Sequence, residues 1–290
     1  MTRLLLRISV RIAPLCILAA AVASCGVMPA PMRGSATPQS THATGLLLIH
    51  GWAGDSSAWA PVAKLLGLGG AAIDLPGHGA NRQDVTGWTV ANFVRAVEAE
   101  RIRRGIECLV IGAHSNGAYI AREYARLHPV RAGGIVVVEG SFLKPFDGSR
   151  FASYSALIDR DWQRMQENPS GLTGAAPETV AIVRAMLRRA SKNTALATFN
   201  MLAAESLWQH PAVSTPVAFL LADSPMWTED YLIRLRAQAP GARIVRLGAV
   251  SHYAQLDRPH EVAAALRESM AQARCGGDAT SDVDARLRDG

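Results

Sequence analysis

Very little in this chain is spaced to hold a metal. Four cysteines and eight histidines are spread over 290 residues, and neither type recurs at the short intervals that build zinc sites. Basic runs with interleaved aromatics are missing too, and arginine, which far outnumbers lysine, is scattered along the whole length. The formal charge is +6. Arg3, Arg7 and Arg11 fall in a leader expected to be removed, and the remaining charge of about +3 is no nucleic-acid footprint. No apolar run approaches the ~20 residues of a spanning helix, and internal repeats are absent. With 49% hydrophobic residues, the chain can bury one large core or two small ones.

The leader is read from what surrounds its apolar stretch. Three arginines precede Ile12 to Ala23, which is too short and too early for a typical membrane span. The stretch ends Val22-Ala23-Ser24-Cys25-Gly26. That ending resembles the lipobox of bacterial lipoproteins, in which the cysteine receives lipid and becomes the mature N-terminus. The resemblance implies a signal peptide over residues 1–24, lipidation at Cys25 and a place in the cell envelope. With no aspartate after Cys25, it favours the outer membrane, facing the periplasm. A plain secretory signal cut near Ala23 or Ser24, giving a soluble periplasmic or secreted protein, is the alternative. Residues 25–44, rich in Pro, Ser, Thr, Ala and Met, read as a flexible tether.

Within the folded part, residues 45–274, the informative stretch is Ile111-Gly112-Ala113-His114-Ser115-Asn116-Gly117. It follows a short apolar run, Cys108 to Ile111, and leads into a segment of helical character from Tyr119. A serine between a buried strand and a helix, with small residues two places away on each side, describes a nucleophile elbow. The tight turn lifts the hydroxyl clear of the sheet, and the helix N-terminus offers N–H groups and a positive dipole end to developing negative charge. The pattern resembles G-x-S-x-G of the α/β-hydrolase superfamily, with Ala113 in place of the first glycine and Gly112 one position early.

Three further motifs carry the same resemblance in the right order. Gly45 to Gly51 is a continuous apolar run, as a strand buried on both faces should be, and it opens His50-Gly51-Trp52-Ala53-Gly54, an H-G-x-x-G segment. Asp74-Leu75-Pro76-Gly77-His78-Gly79 is the D-x-P-G-x-G turn, whose glycines serve backbone conformation. Asp74, His50 and His78 are assigned to structure, with a place in the pocket lining as the alternative for His78. Gly248 to Pro259 resembles the family's histidine loop, with His252 at the end of a late strand, where a general base is needed.

Between these lie an amphipathic helix over Val90 to Arg103, a buried strand ending at Glu139, and a return strand from Pro216 to Asp223. A helix from Thr228 to Ala239 and a strand from Arg243 to Leu247 follow, and a closing helix runs from Glu261 to Ala273. Residues 141–210 show no strand pattern. Helical stretches over Phe151 to Glu167, Pro177 to Arg189 and Thr194 to Trp208 stand where the resembled family inserts a helical cap. Trp162, Met165, Met186, Phe199, Met201 and Trp208 are candidates for a pocket roof or for packing within the cap. The expected fold is therefore α/β: a mostly parallel sheet with helices on both faces and a cap after Glu139. The two leading strands usual in the family have no counterpart in the tether, and residues 275–290 form a polar tail.

The resemblance implies a serine hydrolase acting on carboxylic esters of small molecules with an apolar acyl or alcohol part. Ser115 would be the nucleophile, His252 the base, and the backbone N–H groups of Trp52 and Asn116 the oxyanion hole. It implies no cofactor and no metal. Amide, thioester or C–C bond cleavage and perhydrolysis use the same constellation. A non-catalytic binding protein of this fold should have lost part of the triad, and Ser115 and His252 both survive. Dehalogenases and epoxide hydrolases of the resembled fold use aspartate as nucleophile, and here the residue is serine. The acid is the open member. Counting from Ala222 in the place of the usual glycine puts Pro225 at the family's acid position, with Asp223 too early unless that loop is short. Glu139 stands after the neighbouring strand, which is the alternative site of some haloalkane dehalogenases, and the sequence favours it over Asp223. In this architecture Cys108, beginning the elbow strand, and Cys275, after the last helix, are expected near one sheet edge. They are candidates for a disulfide, the alternative being one buried and one free thiol. Oligomeric state is not legible.

Overall fold

The computed structural model describes residues 43–276. The leader, Cys25 and the rest of the expected tether up to residue 42 lie outside them, as does the tail from residue 277. Six strands form one parallel sheet in the order β2-β1-β3-β4-β5-β6: β1 (Thr44–Ile49), β2 (Ala72–Ile73), β3 (Cys108–His114), β4 (Ala132–Val138), β5 (Val217–Leu221) and β6 (Arg243–Arg246). The apolar runs over β3, β4 and β5 are buried at every position, because helices cover both faces.

One face, carrying Leu47, Ile49, Leu109, Ile111, Phe219 and Leu221, shares a core with α2 (Val90–Arg103), α3 (Gly117–Leu127) and α7 (Glu229–Gln238). The other packs α1 (Ala60–Leu66) and α9 (Pro259–Gln272) against Leu46, Leu48 and Val110. The alternation of these strand residues between faces is the period-two geometry of a strand. The i, i+1, i+4 stripe Phe93, Val94 and Val97 of α2 is wholly buried, at roughly 1.5–3 kcal/mol for each such side chain removed from water. Thr89 and Asn92 start this helix with reciprocal side-chain bonds.

Glycine 112 serves close packing rather than the elbow turn. A Cβ there would lie 2.5 Å from the end of the Leu48 side chain on β1 and 3.1 Å from that of Leu266 on α9, so glycine lets both leucines pack close over β3. Cys108 and Cys275 form a disulfide with their Cα atoms 5.5 Å apart. It ties the first residue of β3 to the segment just past α9.

The cap inserted after β4 contains α4 (Gly148–Glu167), α5 (Pro177–Arg189) and α6 (Lys192–Asn200). The first two match the sequence expectation closely. The third starts two residues earlier, where Ser191 caps it by accepting from the Thr194 N–H, and it ends at Asn200 rather than continuing to Trp208. Two short 3₁₀ turns, Met201–Ala203 and Glu205–Gln209, replace the expected continuation. Side chains take their carbonyls: Trp208 donates to Leu202 O at 3.0 Å, and Arg122 of α3 donates to Leu207 O and His210 O, each at 3.0 Å. Propensity did not show this, since the competing partners come from elsewhere in the fold. A one-turn helix, α8 (Ala254–Asp257), also lies in what the sequence showed only as a loop.

Candidate active site

The carboxyl ends of β1, β3 and β4 converge on one point. Ser115 follows β3 with φ of 50°, a conformation that costs a non-glycine residue energy and that the elbow imposes. Its N–H donates to Val138 O at 3.0 Å, so the bend is fastened to the neighbouring strand. Gly117 can only be glycine, since a Cβ there would lie 2.8 Å from His50 O. Ser115 is half-buried, and its Oγ lies 2.9 Å from His252 Nε2.

The other ring nitrogen of His252, Nδ1, faces Glu139 Oε2 at 3.5 Å. Glu139 is 7% exposed, stands one residue past β4, and has φ of 49°. Its second oxygen, Oε1, accepts from the Ala222 N–H at 2.6 Å. That bond fixes the carboxylate from the far strand and leaves Oε2 for the imidazole. Asp223, the alternative from the sequence, is exposed, and its backbone N–H donates to Gly248 O at 2.9 Å. The structure brings Ser115, His252 and Glu139 together and leaves Asp223 on the surface side of the same loop.

Trp52 and Asn116 flank the serine. Neither backbone N–H has a protein acceptor among the described residues, and both residues line the same cavity. The Trp52 indole N–H donates to Ala195 O of α6 at 2.8 Å, which fixes the ring beneath the cap.

His50 bridges the first and second motifs. Its Nε2 accepts from the Leu75 N–H at 3.1 Å while its Nδ1 lies 2.9 Å from Gly51 O. Burial lowers its pKa. His78 packs on it with ring centroids 4.7 Å apart; burial first, and then the neighbouring His50, bring the His78 pKa down to about 3. Asp74 accepts from the Ser56 and Ala80 N–H groups, both at 2.7 Å. All three are loop-fixing residues, as expected, and His78 also reaches the cavity wall.

Several partners of His252 were not assigned from the sequence. His114, the last residue of β3, lies under its ring with centroids 4.9 Å apart, and His114 Nε2 meets His252 O at 2.8 Å. Burial, reinforced by the nearby His252, holds the His114 pKa well below the ordinary value, so the neutral ring serves as a donor to that carbonyl. From the cap side, Gly171 O accepts the His252 N–H at 2.9 Å. Gly171 has φ of +78°, and a Cβ there would lie 2.8 Å from the His252 Cβ. Asp257 accepts from Ser251 N–H at 2.8 Å and from Ser251 Oγ–H at 2.6 Å, and takes a third bond from Thr179 of α5 at 2.7 Å. The cap and the histidine loop are thus one bonded unit. His114 could have been noticed beside Ser115 in the motif, whereas Gly171 and Thr179 are joined to the site only by the fold.

Among the described residues no group of three or more His, Cys, Asp or Glu is placed to hold a metal ion, and no helix is long and apolar enough to cross a membrane. A hydroxyl hydrogen-bonded to an imidazole, with a buried carboxylate on the far nitrogen and N–H donors beside it, is an arrangement suited to acyl transfer.

The Alpha/beta hydrolase family matches residues 46–265, and the chain belongs to that family. Solved structures agree on the fold. An esterase from Thermogutta terrifontis superposes with a TM-score of 0.67 at 21% identity, over 79% of this chain and 90% of that one. The enol-lactonase from Burkholderia xenovorans LB400 gives 0.67 at 16%, over 78% and 92%. A bromoperoxidase from Bacillus anthracis gives 0.64 at 15%, over 80% and 92%. No curated protein matches the chain in sequence.

Proposed function

We propose that this hydrolase-family chain cleaves carboxylic esters of small molecules through an acyl-enzyme on Ser115. The observation that carries the reading is the 2.9 Å contact between Ser115 Oγ and His252 Nε2. Ser115 Oγ attacks the acyl carbon as His252 Nε2 takes its proton, and Glu139 stabilises the imidazolium through Nδ1. The Trp52 and Asn116 N–H groups receive the oxyanion, a role whose loss typically costs about 10²–10³ in rate. His252 returns the proton to the leaving alcohol as the tetrahedral intermediate collapses. It then activates water, which attacks the acyl carbon and releases the acid, regenerating the Ser115 hydroxyl.

The N-terminal reading continues as part of the proposal. Arginines before a short apolar stretch and Val22-Ala23-Ser24-Cys25 support export and lipid anchoring at Cys25, with the outer membrane favoured. The Cys108–Cys275 disulfide is consistent with an oxidising compartment.

The test is covalent. A fluorophosphonate probe should label wild-type protein at Ser115 and leave Ser115→Ala unlabelled, with ester hydrolysis falling to a few per cent or less in that variant. Hydrolysis surviving in Ser115→Ala would overturn the assignment.

A further inference from the structure

Beside the elbow lies a cavity of about 20 Å³. Room of that size holds about one water molecule, which is also about the bulk of one methyl group. Its position ties it to the reacting carbon. Gly51, Trp52 and Asn116 line it, and Gly51 is so close to Ser115 that a Cβ on it would lie 2.9 Å from the Ser115 Cβ. The two N–H groups assigned above to the oxyanion belong to the same wall.

The rest of the lining is mostly apolar, with Leu75, Phe93 and Ile120 on one side and Met201 from the cap, and Thr198 adds a hydroxyl. Leu75, Phe93 and Ile120 are each 3% exposed or less. No charged side chain lines it; His50 and His78, whose rings do, are held neutral by burial. The walls have little freedom to yield. The Trp52 indole is bonded to Ala195 O, its ring meets Trp162 edge-on at 6.0 Å, and Phe93 is braced edge-on by Trp88 at 5.2 Å. Packed interiors of this kind accept added volume only with strain.

We infer that this cavity is the acyl pocket and that it confines the enzyme to short, uncharged acyl groups of about two carbons, with Met201 setting the limit. The inference rests on the acyl-enzyme reading above and adds the substrate class to it. The alcohol part has no such confinement, because His252 is open to solvent with 36% of its side chain exposed.

The experiment compares kcat/KM for p-nitrophenyl acetate, propionate, butyrate and hexanoate in wild type and Met201→Ala, with fluorophosphonate labelling of Ser115 in parallel. Wild type should favour acetate over butyrate by about 10-fold or more, since butyrate carries two methylenes more and even one can produce that discrimination in a tight apolar pocket. Met201→Ala should narrow or reverse that ratio while labelling persists. Butyrate or hexanoate turned over as well as acetate by labelled wild-type protein would overturn the pocket and leave the acyl-enzyme reading intact. Failure of Ser115 to label would overturn that reading and the pocket with it. The wild-type series decides the size limit even where Met201→Ala fails to fold.

Discussion

Glu139 meets His252 from the strand beside the elbow strand, with Oε2 3.5 Å from Nδ1, while Asp223 at the next strand's end stays exposed. The longer glutamate side chain spans the distance that its earlier branch point creates. Its other oxygen is occupied by the Ala222 N–H, so rotation away from the ring would break a buried bond.

Replacing the charge at each carboxylate should therefore separate them. Glu139→Gln keeps the shape but loses the charge that stabilises imidazolium, and kcat should fall by up to about 10⁴. Asp223→Asn should stay within a few-fold of wild type. Steady-state kinetics on a short-chain ester decides it, and the reverse ranking would sink the Glu139 assignment.

His114 is expected to act as a positioning residue. Its neutral ring carries the hydrogen bond to His252 O, and misplacing a catalytic group by about 1 Å can cost about 10²-fold. His114→Phe should lower kcat by about 10- to 100-fold with little change in KM, and His114→Gln, which retains a donor, should recover part of the loss. Equal loss in both variants, with KM rising, would indicate packing alone.

Acid should weaken the fold before the carboxylates titrate. His50, His78 and His114 are buried with lowered pKa values, so below about pH 6.5 the unfolded chain gains protons that the folded chain refuses. Stability is then full above pH 6.5 and declines as pH falls towards 3, the His78 value. Each such histidine contributes a slope of at most about 1.4 kcal/mol per pH unit, reached only where its ring is protonated in the unfolded chain and neutral in the folded one. Asp74 and Glu98, whose pKa values are lowered, add losses only below their ordinary range near 4. Chemical denaturation at pH 5, 6 and 7.5 reads the slope, and a flat profile across those three points would contradict it.

The anchor has its own assay. Cys25→Ser should abolish incorporation of labelled palmitate and shift the protein out of the membrane fraction. Equal labelling of both forms would remove the lipoprotein proposal.

The sheet and the serine–histidine pair were legible because strands buried on both faces read as unbroken apolar runs, and because tight turns admit few residues. Gly117 and Gly51 show this most directly, since any side chain there would strike His50 O or Ser115. Where tertiary partners decide, the sequence was silent. The end of α6 depends on Arg122 and Trp208 taking carbonyls. The seat of His252 depends on His114 below and Gly171 above, residues 138 and 81 positions away in the chain.

Among the described residues, the non-glycine positions with positive φ are Ala53, Ser115 and Glu139, at 52°, 50° and 49°. All three stand in the loops that build the candidate site, and each such conformation costs on the order of 1–3 kcal/mol. Among the described residues, the strained non-glycine backbone is therefore gathered at the candidate site. Glycine at any of these positions would relax the chain, so a laboratory selection that rewarded heat resistance alone would erode the proposed nucleophile and its proposed acid first. Improving the protein for use at high temperature would have to hold these residues fixed and draw its gains from the remaining surface.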